Sequence, residues 1–142
     1  MDTIILDKFK VLLRKNGLKV TPQRIAVLKE MGKDKGHRES EEIYMDIKKR
    51  DVHVSRATVY RTLDLLVQNN FIRKLNLGDG RARYENKMGS KHHDHMICTI
   101  CGQIIEYVDY EIEKLQEIVA QKYDFILERH IHQLFGICKE CH

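Results

Sequence analysis

A chain of 142 residues is long enough for one domain or for two small ones. It has no apolar run of about 18 residues, so we expect no transmembrane helix, and its first ten residues include acids and do not resemble a secretion signal. We therefore expect a cytoplasmic protein whose four cysteines remain reduced.

The net charge of +4 is unevenly distributed along the chain. Residues 1–85 carry 19 Lys and Arg against 12 Asp and Glu, whereas residues 86–142 carry 6 against 9. This excess of basic residues favours a polyanionic partner for the first part of the chain only. Solvated basic helices would produce the same excess, so the charge alone does not establish nucleic-acid binding.

Four helices are predicted in the basic part, because apolar residues recur there every three or four positions. Gly17 follows the first helix, and a capping residue precedes each of the other three. Pro22 suits the first position of a helix, where its missing N–H would have no partner within the helix. The predicted helices cover residues 3–15, 22–31, 41–50 and 56–69, with Thr21, Ser40 and Ser55 as the caps.

Two short strands joined by a Gly-Asp-Gly turn follow the fourth helix. We predict them at residues 71–77 and 81–85, with the turn at 78–80. Basic helices followed by a two-stranded hairpin are typical of a winged helix-turn-helix. In such a fold one helix lies in the major groove of DNA while flanking basic groups hold the phosphates.

The polar segment 86–91 is the predicted domain boundary. Beyond it we predict one helix at 109–122 and three strands at 93–98, 103–107 and 125–137. The fold class is therefore α+β, with a winged-helix domain over residues 1–86 and an α/β domain over residues 87–142. A unit of some 50 residues is small for an independent core, and such units usually depend on a metal ion or on oligomerisation.

The four cysteines form two CxxC pairs, Cys98 with Cys101 and Cys138 with Cys141. Two such pairs, separated by a strand, a helix and a strand, can close a tetrahedral thiolate cage that suits structural Zn²⁺. The alternatives are two unrelated thiol pairs or a thioredoxin-type redox centre. A redox pair normally opens a helix after a strand, whereas the first pair here runs into Gly102 and another predicted strand, which favours zinc.

The segment HHDHMICTIC, residues 92–101, places three histidines and an aspartate at the start of a predicted strand. Because strand side chains alternate between two faces, His93 and His95 share one face and His92 and Asp94 the other. Each pair could bind its own ion, and such N and O donors suit Fe²⁺, Mn²⁺ or Zn²⁺ without selecting among them. Candidate partners are His37, Glu85 and Glu106 for the first pair, and Glu113 and His130 for the second.

Several motifs of this chain, taken together, resemble those of the ferric uptake regulator family of bacterial metal-dependent repressors. The resemblance covers nearly the whole chain, and it is specific because the motifs occur together. The matching segments are GLKVTPQR (17–24), SRATVYRTLDLL (55–66), RARYE (81–85), HHDHMICTICGQIIE (92–106) and HIHQLFGICKEC (130–141). The resemblance implies an N-terminal winged helix joined to a C-terminal α/β dimerisation domain, in agreement with the elements predicted above.

The resemblance also implies three metal sites. The structural zinc ligands correspond to Cys98, Cys101, Cys138 and Cys141. The regulatory site at the domain junction corresponds to His37, Glu85, His93, His95 and Glu106. An additional site in the dimerisation domain corresponds to His92, Asp94, Glu113 and His130.

The regulatory metal is inferred from two carboxylates. The peroxide-sensing branch of the family typically has aspartates where this chain has Glu85 and Glu106, so the resemblance favours the iron-sensing branch and Fe²⁺ as corepressor, with Mn²⁺ or Zn²⁺ as substitutes. A peroxide sensor and a zinc- or manganese-sensing member remain the alternatives. In one departure from the family, the usual Ser or Thr two residues after the loop histidine is Glu39 here, and Ser40 follows it.

The partners implied by the resemblance are double-stranded DNA with an AT-rich inverted repeat and a second copy of the chain, with a larger assembly on DNA as an alternative. The protein would thereby repress genes of iron homeostasis. Tyr60 and Arg61 match residues that approach bases, and Lys19 matches a lysine that enters the minor groove. We expect further DNA contacts from Arg56 and Thr58, on the same helix as Tyr60.

Two other protein classes, a zinc hydrolase and a thiol redox protein, are alternatives to a repressor. A zinc hydrolase is disfavoured because the chain has no HExxH segment and because an enzyme would not explain the basic half. A thiol redox protein using Cys98 and Cys101 would not hold stoichiometric zinc against mild chelation. For His130 or His132 taken alone, a packing or surface role is the simpler interpretation.

Overall fold

The protein divides into two compact units, residues 1–90 (unit 1) and residues 91–142 (unit 2). Our computed structural model describes residues 2–33, 35–88 and 93–142. The sequence predicted the boundary four residues earlier, after residue 86. No helix in these described ranges has the length and apolarity that crossing a membrane requires.

Unit 1 begins with four helices at the positions that their apolar periodicity predicts. They are α1 (Thr3–Lys15), α2 (Pro22–Met31), α3 (Ser40–Lys48) and α4 (Arg56–Gln68). Thr21 and Ser55 cap α2 and α4 through their hydroxyl groups, which accept a backbone N–H three residues on. The prediction that Ser40 caps α3 is wrong by one residue. Glu39 is the cap, and its own N–H donates to the Glu42 carboxylate at 3.4 Å.

A β-hairpin completes unit 1. Strands β1 (Ile72–Asn76) and β2 (Ala82–Asn86) pair antiparallel, and Arg38 in the loop before α3 forms a further backbone bridge to Tyr84. The apolar faces of helices and hairpin meet in one cluster of buried side chains. Its members include Phe9, Leu13, Leu28, Ile43, Leu63, Leu66 and Ile72. Helices packed on a two-stranded wing are the arrangement predicted for this half.

Unit 2 is a three-stranded sheet with one helix. Strand β3 (Asp94–Cys98) lies between β4 (Ile104–Tyr107), which runs antiparallel to it, and β5 (Gln133–Gly136), which runs parallel. Helix α5 (Tyr110–Lys122) connects β4 to the segment before β5, and Asp109 caps its first turn.

The third predicted strand, residues 125–137, is wrong in length. Only Gln133–Gly136 forms β5, because its parallel partner β3 offers a ladder of just four positions, from His95↔Gln133 to Cys98↔Gly136. An apolar alternating pattern predicts a strand, but the partner strand limits how much of that pattern can pair. The preceding residues 125–132 therefore run as irregular chain.

Candidate metal centres and nucleic-acid interface

The two CxxC pairs converge in unit 2. Cys98 ends β3, Cys101 lies in the turn that follows, and Cys138 and Cys141 lie just after β5. All four are free thiols, and their Sγ atoms lie within 4.8 Å of one another. The parallel pairing of β3 with β5 brings these distant segments together. Sequence spacing indicated this grouping, and the sheet register explains it.

The geometry of these four thiols fits a tetrahedral zinc ion. Zn–S bonds of about 2.3 Å require sulfur atoms about 3.8 Å apart, and the Sγ atoms of Cys101 and Cys138 are 3.7 Å apart. The backbone N–H groups of Cys101 and Cys138 both point at Cys98 Sγ, at 3.5 and 3.4 Å. These donors stabilise a thiolate and lower the pKa of Cys98 to about 6.

The same crowding raises the pKa of Cys141 to about 12, first through its contact with the Cys138 thiol. Four thiolates this close repel one another, so they ionise together only around a cation. Cys101 leads through Gly102, whose φ is +77°, into β4 and not into a helix. Both observations suit a closed structural metal site better than a redox pair.

Two of the predicted regulatory ligands meet within unit 1. His37 Nε2 and Glu85 Oε2 are 2.6 Å apart, although 48 positions separate them in the sequence. The backbone bridge one residue along aligns them, since the Arg38 N–H donates to the Tyr84 carbonyl at 3.1 Å and the Tyr84 N–H donates back at 2.7 Å. The loop and the wing thus present one imidazole and one carboxylate side by side.

The other three predicted regulatory ligands meet within unit 2. His95 and Glu106 are directly opposite on β3 and β4. His93 Nε2 lies 3.5 Å from Glu106 Oε1, and the His93 and His95 rings pack edge to face with centroids 4.9 Å apart. Each unit by itself therefore assembles part of the predicted donor set, two side chains in unit 1 and three in unit 2.

Sequence reasoning missed the buried charge network that holds the loop carrying His37. Arg38 donates to Glu30 on α2 at 3.2 Å and to Asp46 on α3 at 2.7 Å, and Arg50 also pairs with Glu30. The Glu30 side chain is completely buried. Arg38 also holds the pKa of Asp46 below its usual value. The charge of Arg38 gave no sign that it would lie inside the unit.

Three of the four residues predicted for the additional site meet in unit 2. His130 Nε2 lies 3.2 Å from Asp94 Oδ1 and 3.2 Å from Glu113 Oε1, so one imidazole sits between two carboxylates. A metal-ligand atom from each of these residues lies within 4.8 Å of the others, a spacing that one ion can span. The fourth predicted ligand, His92, lies outside the described residues.

His132, for which the sequence offered only a packing or surface role, bonds to a tyrosine. Its Nδ1 lies 2.6 Å from the Tyr107 hydroxyl, and the two rings are 5.9 Å apart, edge to face. Burial, with Asp94 nearby, raises the pKa of Tyr107. The contact fastens the segment before β5 to β4, which agrees with a packing role.

The predicted DNA contacts of unit 1 lie at its surface. Lys19, Arg56, Tyr60 and Arg61 are exposed, whereas Thr58 is half-buried because it belongs to the cap of α4. There the Ser55 Oγ accepts the Thr58 N–H at 3.1 Å and lies 3.0 Å from its hydroxyl. The exposed side chains give α4 the polar outer surface that a recognition helix needs.

Glu41 of α3, which the sequence did not single out, binds two of these side chains. Arg56 donates to both of its carboxylate oxygens, and the Tyr60 hydroxyl donates to one of them. The bonds from Arg56 and then Tyr60 lower the pKa of Glu41, and the same carboxylate raises the pKa values of Arg56 and Tyr60. An i,i+15 contact between two helices has no sequence signal.

Comparison with known proteins places this chain among repressors. The model of the ferric uptake regulator family matches residues 15–135. The ferric uptake regulation protein of Campylobacter upsaliensis is 43% identical over 140 residues, which cover 97% of this chain and 89% of that protein.

Two solved structures are similar over most of the chain. The ferric uptake regulator of Helicobacter pylori, described as having three functional metal-binding sites, superposes with a TM-score of 0.83 at 40% identity, over 96% of this chain and 91% of its own. The ferric uptake regulator of Francisella tularensis, solved with iron, superposes with a TM-score of 0.74 at 30% identity, over 88% and 95%.

These similarities confirm the family resemblance and the predicted α+β fold, with an N-terminal winged-helix DNA-binding domain and a C-terminal dimerisation domain. The individual metal and DNA ligands stay predictions. The chain belongs to the ferric uptake regulator family, whose members are metal-dependent transcriptional repressors that bind DNA and act as dimers.

Proposed function

We propose that this protein is an Fe²⁺-dependent repressor of iron homeostasis genes, controlled by a regulatory site at the junction of its two units. The division of the donors carries the proposal. His37 and Glu85 meet in the winged-helix unit, whereas His93, His95 and Glu106 meet in unit 2. Each unit supplies only part of the set, and the five imidazole and carboxylate groups together suit one metal ion.

The metal would act by favouring one arrangement of the two units. When bound, Fe²⁺ supplies coordination positions that imidazole nitrogens and carboxylate oxygens fill. His37 and Glu85 would then restrict the orientation of the winged helix relative to the sheet that carries His93. Shifting a mostly open population to a mostly closed one takes about 5 kcal/mol of differential affinity, a reasonable amount for several ligand bonds.

Iron is favoured over other metals by the carboxylates at positions 85 and 106, which match the iron-sensing branch of the family. Mn²⁺ and Zn²⁺ suit the same donors and would substitute when they are abundant, since selection among these ions depends on geometry and availability. The Francisella tularensis regulator solved with iron supports this choice.

The remaining two donor groups would have separate roles. Cys98, Cys101, Cys138 and Cys141 would hold structural Zn²⁺, joining the chain after β5 to the end of β3. Asp94, Glu113 and His130, with His92, would form the additional site. The Helicobacter pylori regulator, with its three functional metal sites, supports this division.

The proposed DNA target is an AT-rich inverted repeat bound by a dimer. A twofold dimer carries two copies of α4, which can enter successive major grooves when the units close. Tyr60 and Arg61 would approach base edges, and Lys19 would enter a minor groove that is narrow in AT-rich sequence. A dimer bound to a promoter would block transcription. The protein would act in the cytoplasm, where the four thiols remain reduced.

The dimer would form through unit 2. Leu115, Val119 and Phe125 lie along an apolar groove of about 580 Å³ between α5 and the chain that follows it. Leu115 is 60% exposed. We infer that a second copy covers this face, because family members act as dimers and neighbouring exposed apolar side chains favour association.

The test is DNA binding by the zinc-loaded protein, titrated without oxygen with Fe²⁺, Mn²⁺ or Zn²⁺ under free-metal buffering. Binding to an AT-rich inverted repeat should appear on addition of Fe²⁺ and disappear on its chelation. A random duplex of equal length is the control. Binding indifferent to all three metals would show that the junction is not a switch.

Peroxide treatment of the Fe²⁺-loaded protein distinguishes the iron-sensing from the peroxide-sensing branch of the family. Brief exposure of the Fe²⁺ form to peroxide should leave the masses of His37 and His93 unchanged if the protein senses iron. Addition of one oxygen atom to either histidine, with loss of DNA binding, would instead identify a peroxide sensor.

A further inference from the structure

The two arginines of α4 have different surroundings. Arg56 Nε donates to Glu41 Oε2 at 3.0 Å and its Nη2 donates to Oε1 at 2.8 Å, so the pair is bidentate. Arg61 Nε donates only to the backbone carbonyl of Ala57 at 3.2 Å, and among the residues that the structure describes no carboxylate pairs with it. The charge of Arg56 is therefore balanced by a carboxylate, whereas the charge of Arg61 is not.

A second contact fixes the Arg56 guanidinium in this position. The group lies over the ring of Tyr44, 4.6 Å from its centroid, and Tyr44 is buried in the core of unit 1. A guanidinium that stacks on an aromatic ring and binds a carboxylate with two N–H groups has little freedom to turn elsewhere. The immobile ring thus determines where the Glu41–Arg56 pair sits.

The Glu41 carboxylate also holds Tyr60. The Tyr60 hydroxyl donates to Glu41 Oε2 at 2.8 Å, and the Tyr60 side chain is 37% exposed. Glu41 and Arg56 are also about half exposed, so DNA phosphates can reach the cluster. A phosphate that approached Arg56 would have to compete with Glu41 for the same N–H groups and would meet its negative charge.

We propose that Glu41 is a specificity-determining residue that keeps Arg56 from binding phosphates and thereby limits sequence-independent DNA binding. Non-specific affinity comes from cations that neutralise phosphates, and each such contact adds equally to operator and to random DNA. Withholding Arg56 lowers affinity for both duplexes but leaves the contribution of base contacts intact. The proposal rests on α4 facing DNA, and it revises the expectation that Arg56 is a DNA contact.

Glu41→Gln tests this inference because it removes the charge and retains the length and an acceptor for Tyr60. Affinity for a random duplex and for the AT-rich inverted repeat is measured in the full-length metal-loaded protein from about 50 to 200 mM salt. We expect random-duplex affinity at low salt to rise by roughly threefold to tenfold and the salt slope to steepen by about 0.9, the value for one added phosphate contact.

Two further variants separate this effect from a general change of charge. Glu42→Gln removes a neighbouring carboxylate of the same helical turn, which bonds to the Glu39 N–H and not to α4. It should leave the salt slope within about 0.3 of the wild-type value. In the double variant Glu41→Gln with Arg56→Ala, the slope should return to the wild-type value, because the released guanidinium is gone.

Equal slopes for Glu41→Gln and Glu42→Gln would overturn the proposal. So would a Glu41→Gln variant that loses the inverted repeat alone, because Glu41 would then act on bases, directly or through Tyr60. The salt slope on random DNA does not require metal control. Failure of the proposed function would instead appear as wild-type binding that ignores Fe²⁺, whatever the slopes of the variants.

Discussion

The two units bury apolar side chains very differently. In unit 1, 13 buried residues from all four helices and the hairpin form one cluster. In the described part of unit 2, the buried apolar residues are Ile97, Cys98 and Ala120. Large apolar side chains of that unit are exposed to solvent instead, including Ile126, which is 88% exposed.

This difference shows which unit is stabilised by its own apolar core. Burial of apolar area is the main stabilising contribution to a domain, and a small unit that buries little needs another source. Unit 2 has two such sources, the four-thiol group and an apolar face suited to a second copy. Unit 1 has one continuous core and needs neither of these sources.

Removal of zinc should have the largest effect, and it should affect the two units differently. Structural zinc contributes on the order of 10 kcal/mol to the folding of small domains, so Cys138→Ser should unfold unit 2 and spare unit 1. Amide NMR spectra should lose dispersion for residues 93–142 and keep it for residues 2–88. His142→Ala, one residue beyond the last cysteine, is the control. A folded unit 2 in the zinc-free variant would contradict this account of its stability.

Breaking the buried charge network should have the next largest effect, confined to unit 1. Arg38→Met leaves Glu30 buried with too little compensating charge, which typically costs about 4 kcal/mol. Urea unfolding of unit 1 measures the loss. Lys35→Met removes a half-exposed partner of the same carboxylate, 3.7 Å away, and should cost less than about 1 kcal/mol. Equal losses for the two variants would mean that Glu30 is not effectively buried.

Matched leucine truncations measure how much a buried side chain of unit 1 and an exposed one of unit 2 each contribute to stability or association. Leu63→Ala removes a fully buried side chain from unit 1 and should lower its unfolding free energy by about 3 kcal/mol at any protein concentration. Leu115→Ala, on the open face of α5, should leave unit 1 unchanged and weaken dimerisation. Sedimentation equilibrium measures the second effect. A Leu115 variant that dimerises like the wild type would exclude this face from the interface.

The smallest expected effect is the acid dependence of unit 1. Arg38 lowers the pKa of Asp46, and the Arg81 N–H and the Arg83 side chain lower that of Asp79, both from 3.8. The folded unit therefore binds fewer protons than the unfolded chain near pH 4. The stabilisation is present above pH 3.8 and is lost as the pH falls through the folded pKa values. Asp46→Asn should flatten this loss in urea titrations between pH 6 and pH 3, whereas an unchanged slope would contradict it.

Local sequence predicted the elements well where the controlling contacts are local. Thr21 with Pro22, and Ser55, mark the starts of α2 and α4, because a cap and the first turn lie within three residues. The CxxC pairs predicted their own grouping because metal-ligand spacing restricts the geometry. The extent of β5 was not predictable, since its end depends on a partner 38 positions away.

The Glu41–Arg56 pair and the Arg38–Glu30–Asp46 network were also not predictable from the sequence. Charged residues are ordinarily solvated, and nothing in a single sequence distinguishes an arginine that packs between helices from one at the surface. Only the packing of α3 on α4 brings Glu41 to Arg56. Ion pairs of this kind form only once the helices have packed against one another.

The metal switch that we propose uses donors from both units, and the free Fe²⁺ concentration at which operator binding is half-maximal tests this directly. His37→Ala in unit 1 and His93→Ala in unit 2 should each raise that concentration by at least about tenfold. His53→Ala replaces an exposed histidine of unit 1 and should not change it. If either His37→Ala or His93→Ala keeps the wild-type midpoint, the regulatory site does not use donors from both units.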